Sequence, residues 1–183
     1  LDCCAAPGGK SVLLAKKCAQ VTSFELHAHR VELIRQYKTR MGVENITEMQ
    51  KDSAVFDPAY EEVFDAVVCD APCSGFGTVS ENPDIKLFRK SEDFAGLKKA
   101  QTEILSTVCR YVKKGGNLYY STCSLFECEN DKIVGEFLKN HPEYEAEEMD
   151  SPLVHEKKKY GLQFLPDTAY GAGFYVSRLK KKS

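Results

Sequence analysis

The sequence predicts an open, doubly wound α/β sheet, mostly parallel with an antiparallel edge. Three observations carry this. Short apolar runs rich in β-formers (VTSFE, NITEMQ, FDAVVCD, NLYYST) alternate with helix-length amphipathic segments. FDAVVCD is apolar almost throughout, as a strand covered on both faces must be. The unusual residues fall just after the predicted strands, where sheets of this kind bind ligands.

The elements follow in order. LD reads as the end of a first strand, succeeded by the loop CCAAPGGK and a helix over SVLLAKKCA. VTSFE is the second strand. HAHRVELIRQYKTRM places Val31, Ile34, Tyr37 and Met41 at helical spacing, with Gly42 as the stop. NITEMQ and FDAVVCD are the third and fourth strands, and a long loop, DAPCSGFGTVSENPDIKLFRK, follows. SEDFAGLKKAQTEILSTVCRYV reads as a long helix with Ser91 as cap and Asp93 in its first turn. KKGG reads as a turn into NLYYST, and ECENDKIVGEFLKN as another helix beginning just after Cys123. The tail, YGLQFLP with GAGFYVSRL, reads as two antiparallel edge strands.

The 183 residues make one domain, expected to span 1–183 and to begin inside its first strand. Hydrophobic content of 43% and charged content of 28% are those of a globular protein, and no apolar run is long enough to cross a membrane. The eight cysteines show neither CxxC nor zinc-finger spacing, so no metal site is expected and a reducing, cytoplasmic setting is the natural reading. A net charge of −2 excludes a surface that grips nucleic acid all over. Local clusters (Lys86, Arg89 and Lys90; Lys98 and Lys99; Lys157 to Lys159; Lys180 to Lys182) can still meet phosphates, and the stretch from His141 to Glu156 is acid-rich with no Lys or Arg.

The opening loop ends GGKS but is not a nucleotide-triphosphate loop. Counting back from Gly9, Lys10 and Ser11, the first glycine of GxxxxGK[ST] should occupy position 4, which is Cys4, and Pro7 removes a backbone donor. GxGxxG is absent as well. Gly8 and Gly9 nevertheless admit close approach to the backbone. Glu25, at the end of the second strand, suits a ribose diol, and Asp52 an adenine amino group. The ligand so described is an adenosine without pyrophosphate. S-adenosylmethionine fits, its cationic centres tolerating Asp2 and Asp70.

DAPCSG and STCS each set a cysteine at the ligand edge. Two thiols and a carboxylate suit methylation at carbon 5 of cytosine. That carbon becomes nucleophilic only after a thiolate adds to carbon 6, and the reaction also needs a partner for ring N3 and a base. A helix starting after Cys123 would favour its thiolate.

LDCCAAPGGKS, DAPCSG and YSTCS, in that order, resemble the RNA cytosine-C5 methyltransferases of the Sun/NOL1/NOP2 class. NPDIKLFRK and GAGFYVSRL are most similar to the bacterial Sun (RsmB) type, which acts on small-subunit rRNA. The resemblance implies a class I S-adenosylmethionine-dependent, Rossmann-like fold, an RNA partner and a monomer. It places the cofactor on Cys4, Ala5, Ala6, Pro7, Gly8, Gly9, Lys10, Glu25, Arg30, Asp52 and Asp70. It implies Cys123 as nucleophile, Cys73 in product release, and Asp70 beside them. In DNA cytosine methyltransferases the attacking cysteine instead follows a proline, which would point to Cys73. Glu25 stands where aspartate is commoner, and Ala172 where the family has an acid. The family's N-terminal RNA-binding part is not in this sequence. Phe76, Phe88 and KLFRK are expected to stack on or clamp RNA. Amine or protein methylation, and a non-catalytic cofactor- or RNA-binding module, are the alternatives. DAPCSG offers a thiol where amine methyltransferases carry an NPPY-like shelf.

Overall fold

The computed structural model describes residues 1–168 and 171–183. β1 (Val21–Glu25) pairs in parallel with β2 (Ile46–Gln50), and β3 (Phe64–Asp70) in parallel with β4 (Val112–Thr122). Leu1 and Asp2 join these halves. Asp2 bridges in parallel to Ser23 on one side and Val68 on the other. The ladder bonds include Phe24 N–H to the Asp2 carbonyl (2.9 Å) and Cys3 N–H to that of Val68 (3.0 Å). The order is therefore β2, β1, Leu1–Asp2, β3, β4, and the chain winds outward from the middle in both directions. The loop after Asp2 lies at the switch point, the usual ligand crevice of such a sheet.

β8 (Phe174–Lys181) lies antiparallel against β4. Its other edge carries β5 (Tyr144–Glu147) and β7 (Leu162–Phe164), and β6 (Glu156–Lys157) pairs with β7. The two tail strands expected from the sequence are present, although β8 is internal. β5 and β6 arise within or beside the acid-rich stretch. Glu145 and Glu147 stand opposite Lys180 and Arg178, and Glu147 pairs with Arg178 at 2.8 Å. Part of the C-terminal basic cluster is thereby used internally: Lys181 Nζ also donates to the Val112 carbonyl, 2.8 Å.

Helices cover both faces. α1 (Gly9–Ala15) and α2 (Ala28–Arg40) bury Val12, Ala15 and Ile34 over Val21 and Ile46. α4 (Asp93–Val108) and α5 (Asp131–Asn140) bury Leu105, Val108, Val134 and Phe137 with Phe24, Val67, Tyr120 and Leu179. Val21 and Phe24, an odd offset apart on β1, serve opposite faces. A short helix, α3 (Ile85–Phe88), lies in the long loop.

Four expected boundaries are corrected. α1 stops at Ala15, short of Ala19, because Asn45 reaches back and donates to the carbonyls of Ala15 and Cys18, both at 2.9 Å. Ser91 does not cap α4 with its side chain; Asp93 instead accepts the Lys90 N–H at 2.9 Å. KKGG is part of β4, where the register jumps and Gly115 takes φ +70°. Residues 127–129 form a 3₁₀ turn and α5 begins only at Asp131, so no α-helix starts immediately after Cys123. Among the described residues no helix is long and apolar enough to cross a membrane.

Candidate active site

At the carboxyl ends of the strands lies a cavity of about 280 Å³. Of the residues expected to hold the adenosine, Cys4, Ala6, Glu25, Arg30, Asp52 and Asp70 line it. Glu25 is only 4% exposed, since it ends β1 beneath the opening loop. Its Oε1 accepts the His27 N–H (3.1 Å) and Arg30 Nη1 (3.4 Å), while Arg30 Nη2 donates to the Ala6 carbonyl (3.2 Å). Arg30 thus ties the loop to the acid and leaves Oε2 without a protein partner among the described residues. Asp52 accepts the Ala54 N–H through Oδ1, which braces the turn after β2.

The rest of the loop faces elsewhere. Ala5 is buried with its N–H bound to the Phe24 carbonyl. Gly8 takes φ +110°, and a Cβ there would press on Ile34 Cα at 3.2 Å, so this glycine serves the packing of α1 on α2. At Gly9 a Cβ would meet nothing within 4 Å. Pro7, Gly9 and Lys10 line a second groove, about 350 Å³, with Tyr37 and Met41. Asp2 is corrected: it is fully buried under the loop, lines no cavity, and accepts the Ser11 hydroxyl at 2.7 Å, and burial raises its pKa.

The thiols meet next to Asp70 and Pro72, which line the cavity. Cys73 follows β3, Cys123 follows β4, and their Sγ atoms are 3.2 Å apart. Asp70 accepts the Ser121 hydroxyl on Oδ1 (2.8 Å) and pairs through Oδ2 with Lys10 (2.5 Å). Burial works against the Lys10 charge, but Asp70 more than offsets it and the ammonium is held above its ordinary pKa. Either sulfur can donate in this contact; with Cys73 as the donor, Cys123 is brought down to about 7 against the opposing effects of burial and Asp70, with Lys10 assisting. The same bond and burial push Cys73 up. With Cys73 donating, a neighbouring thiol favours the Cys123 thiolate, whereas the helix start expected from the sequence lies further on, at Asp131. Cys4 is pushed well up by its bond to Cys3 and by burial.

Phe76 packs edge-on against Phe126 (5.0 Å between centroids), as does Phe94 (5.2 Å), forming an internal aromatic cluster. Phe88, on α3, is 75% exposed. Gly77 packs beneath the thiol loops: its N–H donates to the Cys123 carbonyl (2.8 Å), and a Cβ on it would collide with the Gly173 backbone carbonyl. Gly77→Ala is expected to cost about 1–3 kcal/mol, read as a lowered melting temperature. An unchanged melting temperature would show that the contact yields freely.

Several residues at the site escaped the sequence reading. Ser53 donates to the Cys3 carbonyl (2.5 Å) and, with Ile104, lines the cavity. Glu129 and Asn130, buried below the thiol loops, accept and donate hydrogen bonds there. Glu129 reads in sequence as an acid in a helix's first turn, and nothing local signals that it is buried.

The family described as 16S rRNA methyltransferase RsmB/F matches residues 1–180. The chain is 39% identical, over its whole length, to the probable ribosomal RNA small subunit methyltransferase B of Bacillus subtilis, and covers 43% of that protein. The crystal structure of PH0851 superposes with a TM-score of 0.93 at 32% identity, covering 98% of this chain and 42% of that one. NSun6 from Pyrococcus horikoshii, solved with SFG, superposes with a TM-score of 0.84 at 22% identity over all of this chain and 47% of that one, a likeness of fold. The chain thus spans less than half the length of each of these relatives.

Proposed function

The chain belongs to the 16S rRNA methyltransferase RsmB/F family, and on that premise we propose that it transfers the methyl group of S-adenosylmethionine to carbon 5 of a cytidine in small-subunit rRNA, through a covalent bond between Cys123 and the base. The observation that carries this reading is the Cys73–Cys123 pair at 3.2 Å, with Asp70, paired to Lys10, and Pro72, which precedes Cys73, lining the cavity.

The cavity suits the donor. The free Oε2 of Glu25 can accept from a ribose diol, and Asp52 from an adenine amino group. When bound, S-adenosylmethionine supplies an electrophilic methyl carbon. The chain's own residues do the rest. The Cys123 thiolate forms a bond to carbon 6 of a cytosine turned out of its stack, and the C5=C6 electrons move to carbon 5 and the ring. The Lys10–Asp70 pair provides and holds a proton at ring N3, which neutralises the charge brought by the thiolate. Carbon 5 would then bond the methyl carbon as the sulfur–methyl bond breaks, the electron pair staying on sulfur and S-adenosylhomocysteine leaving. Once Cys123 is bonded to carbon, the sulfur that held the Cys73 proton is no longer an acceptor; Cys73 releases that proton to water and, as thiolate, takes the carbon 5 proton. Loss of that proton restores C5=C6 and expels Cys123 as thiolate, and the N3 proton returns to the Lys10–Asp70 pair. Phe88 and Lys86, exposed on α3, offer the RNA a stacking face and a cation.

Single-turnover incubation with methyl-labelled S-adenosylmethionine and small-subunit rRNA tests this; label recovered as 5-methylcytosine is expected. Label on another base, on protein, or nowhere overturns it. For the donor site, Glu25→Ala is expected to weaken S-adenosylmethionine binding by about 1.5–3 kcal/mol, the cost of a charge-assisted hydrogen bond. Calorimetry measures it, and unchanged affinity removes Glu25 from the ribose.

A further inference from the structure

Each thiol is followed by a serine, and one buried carboxylate holds both serines. Glu129 has no exposed surface. It accepts the Ser74 N–H (2.9 Å) and hydroxyl (2.6 Å), the Ser124 hydroxyl (2.5 Å), and the Gln101 side-chain amide (3.0 Å). Gln101 also donates to the carbonyl of Pro72, which precedes Cys73 (2.9 Å). A carboxylate has about four lone-pair sites, and all four are used by donors on the two thiol loops and the helix behind them. No Lys or Arg pairs with Glu129 among the described residues. A buried, unpaired carboxylate is a poor way to stabilise a core, where well-packed apolar side chains serve as well or better. Its placement makes sense as a device that fixes geometry.

We propose that Glu129 is the positioning residue of the thiol pair: by binding Ser74 and Ser124 together it holds the Cys73 and Cys123 loops at one separation, with Cys73 as hydrogen-bond donor and Cys123 as acceptor. This rests on the two-thiol reading of the site given above. The pairing of β3 with β4 brings the two segments side by side, and beyond the last ladder bond, Ala71 N–H to the Ser121 carbonyl, the tie through Glu129 helps fix the sulfur separation of 3.2 Å. The charge of Glu129 works in the same direction. Cys73 is pushed up chiefly by its bond to Cys123 and by burial, and the charge of Glu129 adds to this, favouring the proton on Cys73.

The test is the pH dependence of iodoacetamide alkylation at Cys123, followed by peptide fragmentation, together with single-turnover methylation of small-subunit rRNA. In the unaltered protein the alkylation midpoint is expected near 7. Glu129→Gln keeps the shape but removes one acceptor and the charge. Its loops separate, and the Cys123 midpoint is expected to rise toward the ordinary thiol value of about 8.5, slowing alkylation at pH 7 by roughly tenfold. Methyl transfer should fall in step. Ser124→Ala, which cuts one arm of the tie and leaves Glu129 in place, should shift the midpoint in the same direction by less, and it serves if Glu129→Gln does not fold. A merely structural role would lower the melting temperature and leave the midpoint where it is. A wild-type midpoint in the folded variant, or in Ser124→Ala if that is the one that folds, overturns the proposal. Alkylation is measured without RNA. A wild-type protein that fails to methylate cytosine therefore counts against the reaction assigned above, and an unmoved midpoint counts against Glu129.

Discussion

Cys123→Ala is expected to lose methyl transfer by about 10⁴-fold or more, the scale on which removal of a nucleophile acts, and to form no covalent RNA adduct. Cys73→Ala is expected to do the opposite on a denaturing gel: it still attacks carbon 6 and transfers methyl, but without its base it accumulates adduct. The asymmetry comes from the shared proton. Cys123 at about 7 is close to half ionised at neutral pH, whereas Cys73 is held protonated. The adduct in Cys73→Ala should form more slowly at neutral pH than attack does in the unaltered protein, because the donor that lowers Cys123 has gone. The single-turnover rate of the unaltered protein should rise with pH and level off, with its midpoint near 7, since the reactive form is the thiolate that exists above the pKa. Adduct present in Cys123→Ala and absent in Cys73→Ala would assign the attack to Cys73 instead.

Much of this arrangement is legible in the sequence. The strands VTSFE, NITEMQ, FDAVVCD and NLYYST are local in origin, set by β-forming side chains and apolar continuity, and each ends where an acid or a thiol follows. That is enough to bring Glu25, Asp52, Asp70, Cys73 and Cys123 to one edge. What stays hidden depends on residues distant in sequence. Asn45 ends α1 from across a crossover. β5 sets its acids opposite Arg178 and Lys180 on β8, and Glu147 pairs with Arg178. Asp2 looks available to a ligand until the loop is seen to close over it. The thiol in contact with Cys123 is Cys73, 50 residues away, and the tie at Glu129 requires β3, β4 and α4 to be in place together. Local pattern gives strands and their order. It gives no account of which polar side chains the packing then encloses.

Asp70→Asn should separate two properties that usually fall together, thiol reactivity and turnover. The asparagine carbonyl can still accept the Ser121 hydroxyl, but its amide would face the Lys10 ammonium, donor against donor, and Lys10 would lose its partner. If the Lys10–Asp70 pair manages the proton at ring N3, single-turnover methylation should drop by about 10²–10⁴-fold, the range for a lost acid–base group. The sign at Cys123 is the reverse. The Asp70 charge raises the Cys123 pKa, so its removal should lower that pKa further and speed alkylation at pH 6 to 7. A variant whose nucleophile is more ionised and whose reaction is far slower cannot owe its defect to the thiol. The deficit must then lie in the charge that cytosine acquires on attack. Alkylation by iodoacetamide and single-turnover transfer, measured on the same preparation, decide the point. Turnover within about twofold of the unaltered protein would free Asp70 from any part in the chemistry and leave it as a lining residue of the donor cavity.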